Sequence, residues 1–107
     1  MILSSRRAVI TGIGVIAPLG LNAATFWEAL SAGRSGVRRL PNAEASCFTT
    51  HVGAPVEGFD AKKFLDKKDR KRLAIMSRPF QFAAVASRLA LQDAALKLNQ
   101  LDPKRVA

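Results

Sequence analysis

The apolar and polar positions along this chain change their period twice. From Arg6 to Ile16, "RRAVITGIGVI" is β-branched and apolar with two glycines, which predicts a buried strand running into a tight loop. "APLGLNAATFWEALSAG" then carries the punctuation of a short helix. Asn22 is its N-cap, Phe26, Trp27 and Leu30 its apolar face, and Gly33 its C-terminal stop. Residues 34–49 hold Gly36, Pro41, Asn42 and scattered polar groups and read as loop, while "TTHVGAPV" reads as a short edge strand closed by Pro55. Pro79, a favoured first helical residue, opens a long helix expected to reach Leu98. Within it Phe80, Ala83, Ala84, Ser87, Leu91, Ala94 and Leu98 recur at helical spacing. Phe82, Val85, Leu89 and Leu96 widen that stripe until mainly Gln81, Arg88 and Gln92 are left for solvent. A helix apolar over most of its circumference belongs inside a larger body.

Composition narrows the class. With 107 residues, 49% of them hydrophobic, the chain can form at most one small globular domain. The single Cys47 excludes an internal disulfide, and with the single His51 it matches no two-cysteine metal motif, so a reducing compartment is expected and no metal. "MILSSRRAVITG" lacks the apolar core of a signal peptide, and no apolar run is long enough to span a bilayer; a soluble cytoplasmic protein without a membrane partner is the expectation. The net charge of +9, from 17 Lys and Arg against 8 Asp and Glu, points to an anionic partner: nucleic acid, an acidic protein or a phosphorylated ligand. That charge is local. Between Lys62 and Arg72, "FDAKKFLDKKDRKRL" packs seven cations and two Asp, a net of five of the nine.

Two stretches invite a chemical reading. Gly12, Gly14 and Ala17 fit G-x-G-x-x-A after an apolar run, the pattern that cradles a pyrophosphate. In that fingerprint the helix begins at the second glycine and an acidic residue follows about twenty positions on. Here Pro18 and Gly20 interrupt the site, and "GRSGVRRL" stands where the acid belongs, with no carboxylate. The glycines are instead expected to let the chain turn against close neighbours, and no cofactor is implied. Cys47 and His51 would need the thiolate beside a cation or helix N-terminus to act as nucleophile and base. Four positions apart in a loop and strand, they read as incidental.

"RRAVITGIGVIAPLG", "TFWEALSAGRSGV", "FDAKKFLDKKDRKRLAIMSR" and "ALQDAAL", in that order and at those separations, resemble the N-terminal part of β-ketoacyl-acyl carrier protein synthases, closest to the type II elongating enzymes. The resemblance covers nearly the whole chain, Arg6 to Ala107. It implies an α/β fold, the N-terminal portion of a thiolase-like layered α/β/α/β/α body, with residues 1–107 an N-terminal fragment of the synthase's N-terminal domain. It also implies decarboxylative condensation of an acyl chain with a malonyl unit through a cysteine thioester, in a homodimer or a ketosynthase-like heterodimer. The family's nucleophilic cysteine, two histidines and lysine lie in later motifs that these 107 residues do not contain, so the fragment alone is expected to be inactive. A non-catalytic partner subunit of the chain-length-factor type is the alternative.

The basic stretch admits two readings. In one it is a solvated helical face, with Asp66 and Asp69 paired to Arg70, Lys62 and Lys63. In the other, the resemblance aligns "KKDRKRL" without a gap to the family's basic turn that receives the acidic acyl carrier protein. That places Lys68, Lys71 and Arg72 on docking positions, with Lys67 and Arg70 as neighbours. A nucleic-acid partner ranks below both: Phe59, Phe64, Phe80 and Phe82 fall at helix-core spacing rather than on an open stacking platform, and no helix-turn-helix or RNA-binding signature is present.

Overall fold

The computed structural model describes residues 6–41 and 46–106; residues 42–45 of the expected loop lie outside them. Helix α1 spans Ala23–Ser31, and the Asn22 side chain caps it by accepting the Thr25 N–H at 2.8 Å. It closes as a Schellman motif: Gly33, at φ 67°, donates to the Leu30 carbonyl and Arg34 to the Ala29 carbonyl. Its buried residue is Ala29, whereas Trp27 and Leu30, the expected apolar face, stand exposed because α1 meets the rest of the chain on the side of Ala29 and the half-buried Phe26.

Strand β1, Arg38–Arg39, pairs antiparallel with β2, Val52–Gly53, placing Arg38 opposite Gly53 and Arg39 opposite Val52. The edge strand in "TTHVGAPV" therefore exists, but its partner lies inside the stretch expected to be loop. The opening strand is corrected outright. Residues 6–16 join no ladder among the described residues, and Val9 and Ile10 are exposed. A strand needs a neighbour for its N–H and C=O groups, and none of the described segments lies beside this one to supply it. The segment rests on a helix instead, then reverses in a tight turn closed by paired Ala17–Gly20 backbone hydrogen bonds of 2.9 and 3.0 Å.

That helix is α3, Arg78–Asp93, preceded by a 3₁₀ turn at Ala61–Lys63, helix α2 at Lys67–Arg70 and a second 3₁₀ turn at Lys71–Ile75. Pro79 sits in the first turn of α3 as expected. The helix ends at Asp93 rather than Leu98, because Ala95 turns left-handed at φ 54° and completes another Schellman pair, Ala95 to the Gln92 carbonyl and Leu96 to the Leu91 carbonyl. Two 3₁₀ turns follow, Leu98–Gln100 and Pro103–Arg105.

The core gathers Ala61, Leu65, Leu73 and Val85, with Ile16, Phe59, Phe64, Met76 and Leu89 packed against it. Only one stripe of α3 faces it. Val85 is fully buried, while Phe80, Ala83, Ser87, Leu96 and Leu98 of the expected broad apolar surface are exposed. Gln81 and Arg88, expected in solvent, are half-buried. The Gln81 amide donates to the Met76 carbonyl at 3.1 Å, and Arg88 reaches back to the segment before α2. The radius of gyration is 18.2 Å, against about 13 Å for a compact chain of this length, so these elements do not close around a core of their own.

Candidate functional site

The cationic face is built on two leucines. Leu65 and Leu73 insert into the core on either side of the turn, which leaves the residues between them to cover the outside. Lys67, Lys68, Arg70, Lys71 and Arg72 are all exposed. Lys68 lies on α2, and Lys71 and Arg72 follow on the 3₁₀ turn that continues it, three and four residues on. Arg70 is the least free of the five, since its Nε donates to the Leu65 carbonyl at 3.0 Å. The three residues assigned to carrier docking and their two neighbours are thus brought onto one short exposed segment.

The acids of the stretch do not pair as expected. Asp66 and Asp69 leave Lys62, Lys63 and Arg70 alone and turn toward Arg88 of α3, at 2.6 Å and 3.9 Å. The remaining described carboxylates are also committed elsewhere. Glu28 binds Arg34 and Glu57 binds Arg38. Asp93 accepts the Ile13 N–H, and Asp60 and Asp102 cap turns by accepting the Lys62 and Lys104 N–H groups. Among the described residues, then, none of the five candidate cations has an ion-pair partner. Arg78, adjacent in sequence, is not part of this face. Its guanidinium lies over the Phe59 and Phe82 rings at 5.8 and 5.2 Å and donates to the Val56 carbonyl.

Sequence reasoning missed Arg88, which it left to solvent. Its partners lie 22 and 19 positions away, Asp66 and Asp69, and no local spacing rule links them. A cleft of about 260 Å³ separates the basic segment from α3, with Leu65, Asp69, Arg72, Met76, Arg88 and Leu91 in its walls, and Arg88 spans it.

The other two stretches lie apart from this segment. Gly12 and Gly14 lie against α3 so closely that a Cβ at Gly14 would collide with the Ala86 carbonyl oxygen and one at Gly12 with that of Ala90. The two glycines thus allow the close backbone approach to the helix that was expected of them. Cys47 and His51 are exposed, and no hydrogen bond joins the thiol to the imidazole among the described residues. Phe59 stacks on Phe64 and meets Phe82 edge to face at 4.7 Å, so these rings form an internal cluster, but Phe80 stands outside it, exposed.

Residues 5–107 match the family described as "Beta-ketoacyl synthase, N-terminal domain". A 3-oxoacyl-[acyl-carrier-protein] synthase 2 from Coxiella burnetii is 38% identical over 104 residues, 97% of this chain and 24% of that protein. The synthase of the same name from Synechocystis is likewise 38% identical, with the same coverage. Among solved structures, the ishigamide ketosynthase/chain length factor superposes with a TM-score of 0.67 at 30% identity over 87% of this chain and 22% of its own. A β-ketoacyl synthase from Burkholderia phymatum superposes with a TM-score of 0.63 at 34% identity, over 86% of this chain and 22% of its own. The chain spans about a quarter of the length of these relatives.

Proposed function

The chain belongs to the β-ketoacyl synthase family, and from that premise we propose that it forms the first part of a 3-oxoacyl-[acyl-carrier-protein] synthase. Such an enzyme joins an acyl chain to a malonyl unit by decarboxylative condensation. Within it these residues supply recognition rather than bond chemistry: the family's cysteine, histidine and lysine motifs do not occur among them. We read the elements described above as the opening of a layered thiolase-like body that dimerises in the cytoplasm, and the 107 residues by themselves as inactive.

The observation that carries the docking role is the exposed group of Lys67, Lys68, Arg70, Lys71 and Arg72 without an acidic partner among the described residues. A face of that kind fits an acidic carrier protein, whose encounter it would steer from a distance. Attraction of this sort acts on association more than on the chemical step. In the complete synthase, changing Lys68, Lys71 and Arg72 together to Glu is expected to raise KM for acyl-carrier substrate and leave kcat nearly unchanged. KM for a small thioester such as acyl-CoA should not move. Equal losses on both substrates would assign the charges to folding, and unchanged kinetics on both would make the face inert.

A second reading, a non-catalytic partner of the chain-length-factor type, is favoured by the likeness to the ishigamide ketosynthase/chain length factor. Intact-mass measurement of the complete protein after incubation with acyl-CoA separates the two. An acyl adduct marks the synthase, and its absence the partner.

A further inference from the structure

We propose that Arg88 is a positioning residue for the carrier-docking face, withdrawing the carboxylates of Asp66 and Asp69 from the basic segment so that its cations stay uncompensated. The inference rests on the docking reading above.

Asp66 is the residue before α2, with an extended backbone at φ −67°, ψ 160°. An aspartate there ordinarily accepts the N–H of the second or third helical residue. It makes no such bond. Its Oδ2 lies 2.6 Å from Arg88 Nη2 instead, and Asp69 Oδ2 lies 3.9 Å from Nη1. The Arg88 side chain is 32% exposed, and its Nε is buried without a hydrogen-bond partner. Both the forgone cap and the orphaned Nε disfavour this arrangement locally, so the charge-assisted hydrogen bond to Asp66, with the longer pairing to Asp69 beside it, outweighs them.

The consequence is electrostatic. Freed from Arg88, Asp66 stands four residues from Arg70 and Asp69 three from Arg72, the separations at which neighbouring charges along a helical segment can pair. The two carboxylates, 67% and 45% exposed even while paired, would lose the compensating charge of Arg88 and be free to neutralise neighbouring cations and repel an acidic helix. Arg88 also ties the segment to α3 across the cleft, so the face keeps one orientation relative to the core.

The test is a kinetic comparison in the complete synthase, using acyl-carrier protein and acyl-CoA as alternative substrates. Arg88→Gln is expected to raise KM for the acyl-carrier substrate on the order of threefold to tenfold, with kcat and the acyl-CoA KM unchanged. Adding Asp66→Asn and Asp69→Asn to Arg88→Gln should return that KM to near wild type, because the acids that need restraining are gone. A merely structural role would leave the triple variant as impaired as the single one, and that outcome overturns the inference. So does an unchanged KM for Arg88→Gln while the Lys68, Lys71 and Arg72 to Glu variant shows its rise. If that Glu variant shows none, the docking reading itself falls and takes this one with it. Should Arg88→Gln fail to accumulate as soluble protein, the Asp66→Asn and Asp69→Asn pair carries the test alone: KM at or below wild type supports the proposal, and a rise overturns it.

Discussion

At Gly14 the backbone of residues 6–16 approaches α3 so closely that an alanine Cβ would collide with the Ala86 carbonyl oxygen and lie 2.6 Å from the Ala90 nitrogen. Neither of those atoms is the flexible end of a side chain, so the helix or the loop must move as a whole. Gly14→Ala is therefore expected to destabilise the complete protein by about 1–3 kcal/mol or more, read as a lowered thermal midpoint. The neighbouring Ile13 N–H donates to Asp93 at 2.8 Å, which pins the same loop to the far end of α3. Ala95 presents the opposite case. It holds φ 54° without the freedom of a glycine, at a cost of about 1–2 kcal/mol. Ala95→Gly should recover about 0.5–1 kcal/mol once the looser unfolded chain is counted, measurable by denaturant titration. Cys47, exposed in a turn, should tolerate Cys47→Ser with the proposed condensation by the complete protein near wild type. Loss of acyl loading in that variant would restore it as a nucleophile.

Among the elements, α1 was legible at both ends because its signals are local: Asn22 three residues before the N–H it caps, and Gly33 where the left-handed residue is required. The end of α3 was not, because an alanine occupies the equivalent position and the apolar stripe runs on through Leu96 and Leu98. The basic segment divides the same way. Its cations announce themselves in "KKDRKR", yet whether they are neutralised depends on Arg88, on another element, and no spacing rule reaches that far. Periodicity singles out none of Lys68, Lys71 and Arg72; their proposed docking role comes from the family resemblance. Because the attraction proposed for that segment is between exposed charges, it should be sensitive to salt. Raising ionic strength from 0.1 M to 1 M shortens the Debye length from about 10 Å to about 3 Å. The wild-type KM for acyl-carrier substrate should rise toward that of the Lys68, Lys71 and Arg72 to Glu variant, while the acyl-CoA KM stays level in both.

Across the whole molecule, the apolar surface left uncovered decides how the chain behaves alone. Val9, Ile10, Trp27, Ile75 and Phe80 are each more than two-thirds accessible, with Ile10 at 85% and Ile75 at 87%. Val9 and Ile10 lie on a segment whose backbone also lacks a sheet partner among the described residues, which is the kind of edge that pairs with another chain. Against that surface stands a core in which only Ala29, Ala61, Leu65, Leu73 and Val85 are buried among the described residues. Ordering the backbone costs roughly 1–2 kcal/mol per residue, and burial on this scale cannot offset it. The extended shape, 62 × 38 × 24 Å, has the same cause. The 107 residues expressed alone are therefore expected to aggregate or to bind a hydrophobic dye without a sharp thermal transition. The net charge of +9 slows this association but leaves the apolar faces in place. Calorimetry and sedimentation of the isolated chain provide the check: a cooperative melt of a monomer would mean that α3 and the opening segment bury their apolar faces against each other far more completely than the structure has them.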